Sequence, residues 1–467
     1  MQMQLGVIGL GTMGANLARN AARNGAKVAI FNRTTEKTDA LIRDHGKDGN
    51  MIPVKSFAEL AASLESPRPI LLMVKAGEAV DAMIAELLPH LSPGDIIIDA
   101  GNSHWRDTER RQKELKEKNI HFIGMGVSGG EEGALNGPSM MPGGDKAAYD
   151  VLSPLLQKMA ADDGQGGKCV TYVGPGGTGH FVKMVHNGIE YGVMQLIAEA
   201  YHLLKDLGKY PNTRIAEIFS AWSKSDELRG FLMEITAHVF KEKDPETGKD
   251  LIDVIKDSAG QKGTGKWTTD AAMQYGVAVP TITAAVDARI MSSAKDFRVA
   301  QSVSPPLVAG DVDVDQTELL SLVRTALELG LMNAYGQGFQ LLSVPSQEEK
   351  WNLNISDIAR IWRGGCIIRS GILEQYQVAF TGDQKMAAQM RARFDGEKQI
   401  AWRHVIALGA LRGIPLPAMS ASLSYYDSYR TARLPQNLIQ AQRDFFGAHT
   451  FERLDKPGPF HTHWKSS

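Results

Sequence analysis

The chain has 467 residues and a mass of 50.9 kDa, room for two to four domains at ~100–200 residues each, which excludes a small stapled scaffold. Its 51 basic and 53 acidic side chains leave a formal net charge of −2, so no global field draws in nucleic acid or an anionic membrane, and an anionic ligand must be met by local cations. Two cysteines, Cys169 and Cys366, fit neither a disulfide framework nor a zinc site, and with no basic leader and no apolar run near ~18 residues the expectation is a cytoplasmic protein.

Over the first 130 residues short β-rich runs alternate with helical patterns, the rhythm of βαβ units around a doubly wound parallel sheet. Strands are predicted at 5–9 (LGVIG), 27–32 (KVAIFN), 70–74 (ILLMV), 95–100 (DIIIDA) and 121–127 (HFIGMGV). Gly25 is placed to close the first helix in a left-handed conformation, and Ser56-Phe-Ala-Glu59 has capping-box spacing. From 161 to 179 seven glycines fall in 19 residues, interrupting strand and helix alike, so a domain junction is predicted near Gly177. From Thr178 to about Leu434 apolar residues recur at helical spacing with almost no alternating strands. Within that region Asn187-Gly188 argues mildly against one continuous helix. After Pro435 the composition turns polar and is poorly suited to a separate core, so this part is a tail, either loose or docked. The expected architecture is an α/β Rossmann-like domain (1–177), an all-helical domain (178–434) and a C-terminal tail (435–467). Residues 192–204 also echo residues 330–342, with four identities in 13 positions, which either a duplicated helical unit or two convergent amphipathic helices would produce.

Gly9-Leu10-Gly11-Thr12-Met13-Gly14 follows an apolar strand and opens a helix, the context in which GxGxxG binds a dinucleotide. The first glycine permits the tight turn, the second lets a diphosphate approach the backbone, and the third lets helix pack on strand. Where an NAD-binding chain offers Asp or Glu after the second strand, this one has Asn32-Arg33-Thr34. A guanidinium grips a 2′-phosphate that a carboxylate would repel, so the cofactor is inferred to be NADP. Farther on, Lys183, His186, Asn187 and Glu190 stand at i, i+3, i+4 and i+7, on one face of a helix. Long side chains at its two ends could reach opposite ends of a small sugar acid, although Lys and Glu at this spacing are also common on solvated surfaces.

The segments GGTGHFVKMVHNGIEYG, DAGNSHW, GVSGGEEGALNGPSMMPGG, QKGTGKWT and QAQRDFFGAHTFER, with the NRT strand end, stand in order from one end of the chain to the other. Together they resemble the long, NADP-using type of 6-phosphogluconate dehydrogenase, within the β-hydroxyacid dehydrogenases. The resemblance implies oxidative decarboxylation of 6-phospho-D-gluconate to ribulose 5-phosphate and CO2 without a metal, with Lys183 as general base and Glu190 as general acid. It further implies cofactor contacts from Val74, Lys75, Ala76 and Asn102. Carboxylate and hydroxyl contacts would come from Asn102, Ser128, Gly129, Gly130, His186 and Asn187, and a phosphate site from Tyr191, Lys262, Arg289, Arg443 and His449. In the family the tail crosses to the neighbouring subunit, so a homodimer with shared sites is expected. Two rivals are a dehydrogenase of a smaller unphosphorylated acid, which would give the cations Lys262, Arg289, Arg443 and His449 nothing to neutralise, and a non-catalytic NADP-binding redox sensor, which would leave Lys183 and Glu190 idle.

Overall fold

A computed structural model describes residues 4–303, 310 and 314–464. Strands and helices alternate through the N-terminal part: β1 (Gln4–Ile8), α1 (Thr12–Arg23), β2 (Lys27–Phe31), α2 (Thr35–His45), β3 (Met51–Pro53), α3 (Phe57–Ala62), β4 (Pro69–Leu72), α4 (Glu78–Leu87). They continue as β5 (Ile96–Asp99), α5 (Trp105–Lys116), β6 (His121–Ser128), α6 (Gly130–Asn136), β7 (Ser139–Gly144) and α7 (Lys146–Met159). The sheet order is β3-β2-β1-β4-β5-β6-β7, parallel except for β7, which runs antiparallel to β6. Helices cover both faces, so β1, β4 and β5 are buried along their whole length, which is why they read as unbroken apolar runs. Strand order reverses between β1 and β4, opening a crevice at their carboxyl ends.

All five predicted strands are present, and two more join them. Gly25 closes the first helix at φ +88°, and Ser56 Oγ accepts the Glu59 N–H at 3.1 Å. The reciprocal half of that box is displaced by one residue, Glu59 Oε2 accepting from Lys55 N at 2.8 Å.

Beyond Gly177 the described chain is helical as far as Gly447 apart from its connecting loops. Its axis is α8 (Thr178–His202), against which the 33-residue helix Gln316–Glu348 and the helices Thr264–Gln274, Pro280–Ser293 and Pro417–Arg430 pack. The two echoing segments fall on the two longest described helices, the first running two residues past the end of α8, and cross antiparallel with reciprocal contacts. A Cβ on Gly192 would touch that of Ala334, and one on Gly330 would touch Leu196. A local two-fold relating positions 192 and 330 produces this pattern.

Two local expectations are corrected. Helix α8 runs unbroken through Asn187-Gly188. Gly188 serves close packing, since a Cβ there would run into the Thr268 side chain, whose hydroxyl donates to Met184 O. The tail, expected to lack a core, folds locally around a polar one. The helix Gln436–Gly447 and the ribbon of β8 (Phe451–Glu452) and β9 (Pro459–Phe460) close on the buried carboxylate of Asp444. That carboxylate accepts from Thr450 N, His461 Nδ1, Thr462 N and Trp464 Nε1 at 2.8–3.1 Å.

Candidate functional site

The crevice at β1 is shaped by its glycines. Gly9 turns at φ +95°, and a side chain on Gly14 would overlap the Gly9 carbonyl. At Gly11 an added Cβ would meet nothing within 4 Å, and α1 begins there without a side-chain cap or an acidic residue in its first turn. Free backbone N–H groups at a positive helix end, below open space, fit a diphosphate. Asn32 braces the turn by accepting the Leu10 N–H at 2.9 Å. Arg33 stands exposed at the end of β2 and pairs with Glu86 at 3.2 Å. Val74, Lys75 and Ala76 follow β4, and Asn102 follows β5, on the carboxyl side of the sheet beside the same crevice.

The crevice continues into a cleft of about 680 Å³ between sheet and helical domain. Met13, Asn102, Ser128, Gly129, Gly130, Lys183, Asn187, Glu190, Tyr191, Lys262 and Arg289 line it, brought from six separate stretches of the chain. Helix α8 reaches the cleft because it lies almost on the backbone of β6. Side chains on Gly126 or Gly179 would overlap Lys183 and the Gly124 carbonyl respectively, so the glycines of HFIGMGV and GGTGHF are a matched set.

Lys183 is buried among polar partners on its own helix. Its Nζ donates to Asn187 Oδ1 at 2.8 Å and lies 3.2 Å from His186 Nδ1. Burial pulls its pKa below that of an ordinary lysine, and the charge of Glu190 only partly offsets this. His186 is fully buried, and desolvation together with Lys183 holds its pKa well below the usual histidine value. If Lys183 donates to Nδ1, the imidazole proton sits on Nε2, where Ser128 Oγ accepts it at 2.9 Å. Ser128 Oγ also accepts the Ile367 N–H at 3.2 Å, which leaves its own hydroxyl proton free to turn into the cleft. At the far end of the stripe burial raises the pKa of Glu190, against the pull of Lys183 and Arg289. Arg289 stacks on the Tyr191 ring at 3.4 Å and, with exposed Lys262, makes that end cationic.

Three predicted residues stand elsewhere. His186 lies behind Lys183 and Ser128, outside the cleft lining. Arg443 and His449 are exposed on the tail and do not line the cleft of their own chain among the described residues. Sequence reasoning missed Val127, Gly260, Gln261, Thr264 and Ile367 in the lining. Gln261 and Thr264 fall within the QKGTGKWT segment and were within reach, whereas nothing in the sequence marks Ile367.

Residues 4–174 match the NAD binding domain of 6-phosphogluconate dehydrogenase, and residues 179–464 match the C-terminal domain of 6-phosphogluconate dehydrogenase. The chain is 53% identical over 470 residues to the decarboxylating 6-phosphogluconate dehydrogenase of Synechococcus elongatus, covering 99% of each chain. It is 50% identical to the NADP(+)-dependent, decarboxylating enzyme of Bacillus subtilis, again covering 99% of each. Among solved structures, Plasmodium falciparum 6-phosphogluconate dehydrogenase, described with NADP+ and with 6-phosphogluconate, superimposes with a TM-score of 0.93 at 41% identity. That match covers 99% of this chain and 100% of the other.

Proposed function

The chain belongs to the 6-phosphogluconate dehydrogenase family, and we propose that its cleft performs the family reaction with Lys183 as base and Glu190 as acid. It is an NADP-dependent oxidoreductase that converts 6-phospho-D-gluconate to D-ribulose 5-phosphate and CO2. The observation that carries the residue roles is the opposed tuning of two groups on one helix face. Burial favours the neutral amine on Lys183 and the neutral acid on Glu190 across a single cleft.

A neutral Lys183 that gives its two hydrogens to Asn187 Oδ1 and His186 Nδ1 keeps its lone pair for the C3 hydroxyl proton of the substrate. NADP, when bound along Gly9–Gly14, Arg33 and the loops after β4 and β5, supplies the hydride acceptor. The resulting Lys183 ammonium donates to the new C3 carbonyl oxygen, which becomes an electron sink for loss of the neighbouring carboxylate as CO2. Glu190 then delivers its proton to the carbon that has lost CO2, giving the ketose. Asn102, the Ser128 hydroxyl, Gly129, Gly130 and Asn187 hold the carboxylate and hydroxyls, with His186 acting from behind through Ser128 and Lys183. Tyr191, Lys262 and Arg289 meet the phosphate.

We extend the proposal to a homodimer in the cytoplasm, in which Arg443 and His449 complete the phosphate site of the partner subunit. In support, the tail presents Leu438, Phe445 and Phe446 at 62%, 56% and 72% exposure, an apolar face that water alone would not stabilise. No helix among the described residues is long and apolar enough to cross a membrane. Lys183→Met and Arg443→Ala homodimers should both be nearly inactive. A mixed dimer regains one intact site of two, pairing the tail of the first chain with the body of the second. Recovery of activity on co-refolding is the expected result; heterodimers that form without recovery refute the shared site.

A further inference from the structure

Helix α5 carries a cation that the chemistry above does not use. The Arg111 side chain is 1% exposed. Its Nε and Nη2 donate to the two oxygens of Asp81 at 2.8 and 2.9 Å, and Nη2 also donates to Gly77 O at 3.0 Å. These bonds fix the end of the loop that begins with Val74, Lys75 and Ala76. The remaining nitrogen, Nη1, forms no hydrogen bond among the described residues and stands 3.6 Å from Asp99 Oδ2. Asp99 is itself fully buried and organises the loop after β5, accepting from Gly101 N at 3.1 Å and Ser103 Oγ at 2.6 Å. Asn102 sits between those two donors. A single planar cation therefore spans both loops at the carboxyl ends of β4 and β5.

We propose that Arg111 is a positioning residue that ties these two loops together and so sets the seat of the nicotinamide half of NADP; the inference rests on the cofactor reading above. Stability alone does not account for a guanidinium at this depth, because desolvating it costs about as much as its ion pairs return. What a rigid fork supplies is fixed geometry between several acceptors, which a lysine ammonium does not reproduce. The side of the cofactor follows from the sheet order. Arg33 after β2 and Gly11 after β1 take the 2′-phosphate and the diphosphate, so a ligand laid across the crevice reaches the β4 and β5 loops with its other end. Asn102 also lines the substrate cleft, so the tie governs where that end meets the substrate.

The test compares NADP with adenosine 2′,5′-bisphosphate, which carries only the half that Arg33 and β2 would hold. Arg111→Lys should weaken NADP roughly tenfold and the bisphosphate by less than about twofold. Ser103→Ala, which removes a small hydroxyl from the Asp99 oxygen that faces Arg111, should shift the two ligands in the same unequal way and decides the matter if Arg111→Lys does not fold. Equal weakening of both ligands would mean that Arg111 supports the whole domain, and no weakening would mean that it ties nothing; either overturns the proposal. Asn102→Ala separates the two levels. If it leaves NADP binding intact, the assignment of the loops to the cofactor fails; if it loosens NADP while Arg111→Lys and Ser103→Ala do not, only the role of Arg111 fails.

Discussion

Arg33 offers a quantitative test of cofactor choice because its competing partner is visible. The guanidinium is 74% exposed and pairs with Glu86 at 3.2 Å, itself 51% exposed. A solvent-exposed pair of this kind is worth about 0.2–1 kcal/mol, whereas a charge-assisted bond to a 2′-phosphate is worth about 1.5–3 kcal/mol. Binding NADP exchanges the first for the second, for a net gain of about 0.5–2.8 kcal/mol. Arg33→Ala should therefore weaken NADP roughly 2- to 110-fold, with NAD almost unaffected. The same reasoning gives Glu86→Ala the opposite sign. Freeing the guanidinium and removing a nearby carboxylate should tighten NADP by roughly 1.5- to 5-fold at low salt, and the gain should shrink as salt rises. Titration of both cofactors into the three proteins at two ionic strengths measures all of these. Equal losses of NADP and NAD in Arg33→Ala, or weaker NADP binding in Glu86→Ala, would refute the exchange.

Lys183→Met should retain NADP binding and lose ~10²–10⁴-fold in turnover, the cost of a missing general base. In the unmodified enzyme the acid limb of kcat/KM should lie below the range of an ordinary lysine, as burial of Lys183 requires. Glu190→Gln should bind substrate yet turn over slowly, with solvent deuterium incorporated poorly at C1 of the product; normal incorporation counts against its role as acid. Away from the cleft, Glu199 is buried and accepts from Ala418 N and Met419 N at 2.8 Å, and desolvation raises its pKa from 4.5 to about 7. With the folded value above the unfolded one, its contribution is full below pH 4.5 and lost as pH rises through about 7. The loss is about 3 kcal/mol at most. Urea unfolding between pH 4.5 and 8 should show that decline in the parent, and a flatter profile in Glu199→Gln.

Apolar strands and glycine-punctuated motifs were legible because local chemistry dictates them. Strands β1, β2, β4 and β5 announce themselves by Val, Ile and Leu, β6 by apolar residues alternating with glycine, and GxGxxG by the turn it must make. Strand β3 is only three residues long, too short for any period to show. Strand β7 reads SMMPGG and looks like a loop, yet a side chain on Gly143 would overlap the backbone of α8 at Gly179. Its composition answers a contact 36 positions away in the chain. Asn187-Gly188 misleads for the same reason: the glycine satisfies Thr268, not a turn. At the site, spacing placed the stripe of α8 on one face, but depth is not a property of spacing. Lys183 and His186 are both buried, and the contacts of Ser128 and Cys366 with His186 Nε2, with Trp362 against its ring, hold that histidine behind the cleft lining.

The tail shows why composition alone underestimates structure. A segment poor in apolar residues does not collapse by the hydrophobic effect, and the sequence accordingly reads as loose or docked. Its order comes instead from one carboxylate. Asp444 is fully buried and receives four donors drawn from residues 450–464, which pin the ribbon of β8 and β9 to the helix Gln436–Gly447. The apolar residues of that helix, Leu438, Ile439, Phe445 and Phe446, are thereby released from core duty and left 53–72% exposed. A hairpin held by polar bonds within itself reaches a binding surface already ordered, so docking need not supply the entropy of folding it. Internal polar order and an external apolar face thus both favour the arrangement proposed above, in which Arg443 and His449 would be carried as a rigid unit to the phosphate site of a partner subunit.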